Sequence, residues 1–251
     1  MTAPVSGPVD LRGRTALVSG AARGIGRAIC AALGREGASV ACADVLDVSE
    51  TTAALSAMGA KAMALACDVR DREQVAASVK QVLQAWGRLD ILVCNAGVLG
   101  NSQAPVDALS LEEWDTVLEI NLRGYFFLIQ AAWPQMVMQK GGKIVCMGSI
   151  AGRIGGILAG PHYCASKGGV HAMVKSLAKR GAPSGIYVNA IAPGPVATPM
   201  IAAEPYKDEM VPLGRLGQPE DIAEAVVFLS SQASHFITGQ VLDVNGGMLM
   251  I

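Results

Sequence analysis

Short apolar runs alternate with longer amphipathic stretches along the whole chain. Thr15–Val18 reads as a first strand, followed by a helix from Gly24 to Arg35. Ser39–Ala43 and Ala62–Cys67 read as the next two strands, with Glu50–Met58 helical between them. In Asp71–Trp86, the residues Val75, Val79, Val82 and Leu83 recur at helical spacing. Ile91–Val93 is a fourth strand, and Leu111–Gln139 is a long helical region with a perturbation expected at Pro134. Lys143–Met147, Gly185–Ile191 and Gln240–Val244 complete seven strands, with helices at Tyr163–Lys179 and Pro219–Ser230. Apolar strands alternating with helices predict a parallel sheet covered on both faces. No linker rich in Pro or Ser and no repeat interrupts the pattern. Residues 13–251 are therefore expected to form one doubly wound α/β domain, and residues 1–12, with Pro4, Gly7 and Pro8, a flexible arm.

Composition narrows the function. The 251 residues carry a net charge of −1, without the cationic excess that nucleic-acid binding requires. Only 16% of residues are charged and 51% are hydrophobic, which points to a membrane or to surface buried between subunits. The most apolar stretch, Leu122–Trp133, is broken by Arg123, Gly124 and Gln130, so no membrane span is expected. The first ten residues lack the pattern of a signal peptide. Six cysteines form no C-x-x-C pair, and four of them (Cys42, Cys67, Cys94, Cys146) fall in apolar strands. A reduced, cytoplasmic protein without a metal site is the expectation.

Two regions carry chemistry. After the first strand comes Ser19-Gly20-Ala21-Ala22-Arg23-Gly24-Ile25-Gly26, opening a helix. Such glycines let the backbone turn sharply and bring a pyrophosphate against helix N–H groups. Asp44 ends the second strand, where a carboxylate can accept from an adenosine ribose and repel a 2′-phosphate. Arg23 pulls towards that phosphate, but Val45, Leu46 and Asp47 follow Asp44 without a cation, so NAD is the expected cofactor. At the other region, Tyr163 and Lys167 project from one face of a helix. A nearby ammonium favours phenolate and would lower the tyrosine pKa, giving a pair able to exchange a proton with an alcohol or ketone. Ser149, at a strand tip upstream, could hydrogen-bond a carbonyl oxygen.

Over about residues 11–248 the chain resembles the short-chain dehydrogenase/reductase family. The resemblance rests on the glycine loop, Asp68-Val69, Asn95-Ala96-Gly97, Asn121, Ser149, Tyr163 and Lys167, Pro193-Gly194 with Thr198, and Gly239-Gln240-Val241 to Gly246-Gly247. It implies a Rossmann-type seven-stranded sheet and hydride transfer between a nicotinamide and a carbonyl/alcohol pair. Tyr163 would be the general acid/base, Lys167 would lower its pKa and hold the nicotinamide ribose, and Ser149 would stabilise the oxyanion. Asn121 would hold a relay water. Gly20, Arg23, Gly24, Ile25 and Gly26 would hold the pyrophosphate, Asp44 the ribose, and Asp68 and Val69 the adenine. Asn95, Ala96 and Gly97 would line the adenosine side; Pro193, Gly194, Val196 and Thr198 would hold the carboxamide. Ser19 stands where the family usually has Thr, and the Ser149–Tyr163 interval is one residue longer than is usual there.

The resemblance also implies a short lid over Met200–Pro212 and a homotetramer built on the long helices, with the apolar end Met248–Ile251 at subunit contacts. His162 and Arg153 read as structural, with substrate contact or an anionic handle as their alternatives. The leading function is an NAD-dependent secondary-alcohol dehydrogenase or carbonyl reductase. An NADP-linked 3-oxoacyl reductase and a non-catalytic NAD(H)-sensing protein remain alternatives. The four-residue interval between Tyr163 and Lys167 disfavours an enoyl reductase.

Overall fold

A computed structural model of the chain describes residues 9–101, 104–156 and 158–251. Seven strands form one parallel sheet: β1 (Thr15–Ser19), β2 (Ser39–Asp44), β3 (Ala62–Ala66), β4 (Ile91–Cys94), β5 (Gly142–Met147), β6 (Ile186–Pro193) and β7 (Val241–Val244). Their order is β3-β2-β1-β4-β5-β6-β7, so chain direction across the sheet reverses between β1 and β4. In such sheets the crevice for a ligand opens at the carboxyl ends of these two strands. β1 and β4 are buried along their whole lengths, as strands covered on both faces must be, whereas edge strands β3 and β7 are partly exposed.

Helices α1 (Gly24–Arg35), α2 (Ser49–Ala57) and, near the end of the chain, Pro219–Ser230 pack on one face. Helix α3 (Arg72–Trp86) packs on the other with helices from the second half of the chain. Asp71 caps α3 by accepting from the N–H groups of Glu73 (2.9 Å) and Gln74 (3.1 Å), and Gly87 ends it in the left-handed region at φ 74°.

The long helical region is interrupted, but not at Pro134. It comprises α4 (Leu111–Leu118), a π-helical turn over Glu119–Arg123 and α5 (Gly124–Gln139). Pro134 lies inside α5 on its exposed side, where the carbonyl of the also exposed Gln130, left without a partner, can meet water. The wide turn instead brings Asn121 inward, fully buried. The stretch after Ser149 holds a short helix, α6 (Ala151–Ile154), followed by α7 (Pro161–Gly181) and later α8 (Pro219–Ser230).

The arm expected over residues 1–12 lies outside the described residues up to residue 8. From Val9 the chain is described, and Leu11 is buried, its N–H donating to Glu36 O (2.9 Å). At the amino ends of the strands, Asp90 accepts from Thr15 N (3.0 Å), Arg14 Nη1 (3.1 Å) and Arg88 Nε (2.7 Å), joining β1 to β4. Asp90→Ala leaves Thr15 N–H buried and unpaired, and should cost about 2–3 kcal/mol in urea denaturation.

Candidate active site

The carboxyl ends of the strands surround a cavity of about 400 Å³. At one end lies the loop from β1 to α1. Gly20 (φ 68°) and Gly24 (φ 55°) occupy the left-handed region, and a Cβ on Gly20 would stand 2.7 Å from Ala96 Cα. No side chain caps α1 and its first turn holds no acidic residue, which leaves its N–H groups facing the cavity as an anion would need. Ser19 is fully buried; its Oγ accepts from Asn95 N (3.0 Å) and Ala96 N (3.2 Å). Asn95 Nδ2 returns two bonds, to Ser19 O and Gly20 O (both 3.1 Å). The loop is thus stapled to the end of β4, and a serine does the tying where the family usually has threonine.

Asp44 reaches the cavity at the tip of β2. Its carboxylate is fixed by Ala22 N (2.9 Å) and Leu46 N (3.0 Å), so the charge has a set place beside the loop. Arg23 also lines the cavity but is exposed. Asp68 lies against Arg70, 2.6 Å away, whose guanidinium holds its carboxyl below the usual range.

At the other end, β5 and α7 bring Ser149, Tyr163 and Lys167 to one wall. Lys167 is 3% exposed, donates to Met147 O (2.8 Å) and lies 5.6 Å from the Tyr163 ring centroid. The expectation that Lys167 lowers the Tyr163 pKa is not met. Removal from water pushes Tyr163 up to about 12, against a smaller lowering by its hydrogen bond with Ser149. Burial also brings Lys167 down to about 8. Removal from water sets both directions, and the ammonium is aimed at the Met147 carbonyl.

Asn121 stands behind this wall and does not line the cavity. Its Oδ1 accepts from Val98 N (2.9 Å) and its Nδ2 donates to Val98 O (2.9 Å) and Ser166 Oγ (3.1 Å). Ser166 Oγ in turn donates to Tyr163 O (2.7 Å). Asn121 therefore clamps the strand-end loop against α7. Every other residue expected at the site lines the cavity, from Gly20 to Thr198.

Other contributors were not singled out in the sequence, although three of them, Met200, Ile201 and Tyr206, fall within the expected lid. Tyr206 lies close enough to Tyr163 to help raise its pKa, and Met200 and Ile201 line the same space. Met248 does too, so the apolar end of the chain forms part of the site, while Met250 and Ile251 are exposed. A lone aromatic within the lid was the only sequence signal for Tyr206. His162 is fully buried beneath Gly100 and Gly160 and does not line the cavity. Arg153 is tied to β7, donating to Val241 O (2.8 Å) and pairing with Asp243 (3.0 Å). His171 accepts a long bond from Ser149 N (3.5 Å) and, pushed down to about 4 by burial, is neutral at pH 7.

Comparison with known proteins shows the family and the fold. Residues 20–249 match a family model described as enoyl-(acyl carrier protein) reductase. The chain is 38% identical over 247 residues to the 3-oxoacyl acyl-carrier-protein reductase FabG of Thermotoga maritima, covering 96% of this chain and 99% of that one. A short-chain type dehydrogenase/reductase from Mycobacterium marinum superposes with a TM-score of 0.93 at 34% identity, covering 97% and 98%. A putative NAD(P) dependent gluconate 5-dehydrogenase from Beutenbergia cavernae, solved with NADP at low occupancy, gives a TM-score of 0.90 at 38% identity, covering 96% and 99%.

Proposed function

Because the chain belongs to the short-chain dehydrogenase/reductase family, a family of nicotinamide-linked oxidoreductases, we propose that it interconverts a secondary alcohol and a ketone with NAD(H). The observation that carries the reading is the convergence of Ser149, Tyr163 and Lys167 on one cavity with the glycine loop. The loop residues fit a dinucleotide: close-packed glycines, an uncapped helix start and the fixed carboxylate of Asp44. When bound, the nicotinamide supplies or accepts the hydride. Tyr163 gives its proton to the carbonyl oxygen in reduction and takes it back in oxidation. Ser149 hydrogen-bonds the same oxygen, where negative charge develops. Lys167 would hold the ribose and relay protons towards Asn121.

Ile150, Met200, Ile201 and Met248 give the cavity apolar lining, which supports a hydrophobic ketone rather than a polyol as substrate. An NADP-linked 3-oxoacyl thioester reductase is the second reading, favoured by the name of the Thermotoga relative and by Arg23 at the cavity. Parallel assays with NAD and NADP against secondary alcohols and 3-oxoacyl thioesters separate the two. Asp44→Asn, which keeps an acceptor but removes the charge, should lower kcat/KM with NAD about tenfold and raise it with NADP. A wild type that prefers NADP would overturn the cofactor assignment.

A homotetramer is part of the proposal, supported by the exposed Leu111, Phe126 and Met138 of α4 and α5. Sedimentation of the full chain tests it. Among the described residues no helix is long and apolar enough to cross a membrane. The free cysteines support a cytoplasmic setting.

A further inference from the structure

At the opposite end of the sheet from the catalytic groups, a second cavity of about 300 Å³ opens at the amino ends of β1, β4 and β5. Lys143, in β5, lines it and is only 8% exposed. Its ammonium donates to Ser234 O (3.3 Å) and Ser234 Oγ (3.1 Å) and lies 3.8 Å from the Tyr187 ring centroid. Among the described residues no carboxylate pairs with it. Ser230 lines the same cavity, 5% exposed, and among the described residues its Oγ has no hydrogen-bond partner. At the mouth, the half-exposed Arg14 and Arg88 share the single carboxylate of Asp90.

Four cationic side chains, with the exposed Lys140 beside Arg14, Arg88 and Lys143, thus line a cavity with one shared carboxylate and an unused buried hydroxyl; Asp10, also at this cavity, is taken by Arg12. A buried cation without a counter-charge is costly, and burial alone brings Lys143 down to about 8. A buried hydroxyl without a partner is also a cost. One ligand would relieve both: an anion with several acceptor oxygens.

We propose that this cavity binds a phosphate dianion, either inorganic phosphate or the phosphoryl end of a phosphomonoester. Lys143 and Ser230 would hold it from within, and Arg14 and Arg88 would attract it at the mouth. The site is independent of the proposed reaction, because it lies across the sheet from Tyr163 and is read by binding rather than turnover.

Calorimetric titration of the full chain, saturated with NADH or NADPH to keep phosphate out of the glycine loop, tests this. Inorganic phosphate and glycerol 3-phosphate are titrated in separate arms. Saturable binding of inorganic phosphate alone identifies the free ion; binding of both admits a phosphomonoester. Lys143→Met should weaken binding about tenfold. Ser230→Ala removes a hydroxyl that holds nothing in place, so it should leave Tm unchanged and weaken binding about threefold. It decides the matter if the lysine variant fails to fold. Absence of saturable binding of either probe to the wild type overturns the proposal, as does wild-type affinity in Ser230→Ala or in a folded Lys143→Met.

Discussion

Tyr163→Phe should lower kcat by about 10²–10⁴-fold while leaving NADH affinity and Tm nearly unchanged. The phenol stands at the cavity with Ser149 beside it, and Phe keeps the ring and loses only one hydrogen bond, worth about 1 kcal/mol. Serine is too weak an acid to take over, and Lys167 is held at Met147 O. The sign of the pH dependence follows from burial. With Tyr163 pushed up to about 12, the phenol stays protonated at neutral pH, the form that donates to a ketone oxygen. Reduction should therefore be sustained at pH 7, and alcohol oxidation, which needs the phenolate, should climb as pH rises. A variant retaining more than about a tenth of the wild-type kcat would remove Tyr163 from proton transfer.

That expectation began as a spacing of four residues on a helix, and the structure kept the residues while changing the electrostatics. Spacing places Tyr163 and Lys167 on one face but says nothing of how little water reaches them, so the direction of the tyrosine shift was not legible. The sheet was legible because β1, β4, β5 and β6 are covered on both faces and must be apolar almost throughout. The break in the long helical region was not. A single π turn leaves no periodicity of its own, while Pro134 advertises a break that its exposed position makes unnecessary. The helix after Ser149 was hidden by the glycines that end it, Gly155 at φ 84° and Gly156 at φ 75°. Tyr206 and Met248 reach the site only through tertiary contact. Asn121 was identified by resemblance, but its hold on Val98 and Ser166 needed coordinates.

Gly26→Ala should cost about 3 kcal/mol or more of stability in urea denaturation and abolish dinucleotide binding. An added methyl would overlap Gly20 O and stand 2.6 Å from Asn95 Nδ2. Neither can retreat cheaply. Gly20 is itself pressed against the Ala96 backbone, and Asn95 is spent on the Ser19 and Gly20 carbonyls and held through Ser19 Oγ. The clash therefore falls chiefly on the Gly20 backbone, and the loop must lift away from β4 to admit one carbon. The roughly 1 kcal/mol by which Ala outranks Gly within a helix does not offset that. Gly59→Ala supplies the contrast. Gly59 lies at φ 80° with nothing within 4 Å of an added Cβ, so only backbone strain is incurred, about 1 kcal/mol. If the two variants unfold at the same urea concentration, conformational freedom alone explains the loop glycines. If Gly26→Ala is much the weaker and no longer binds NADH, close packing of α1 on the loop is what shapes the phosphate end of the site.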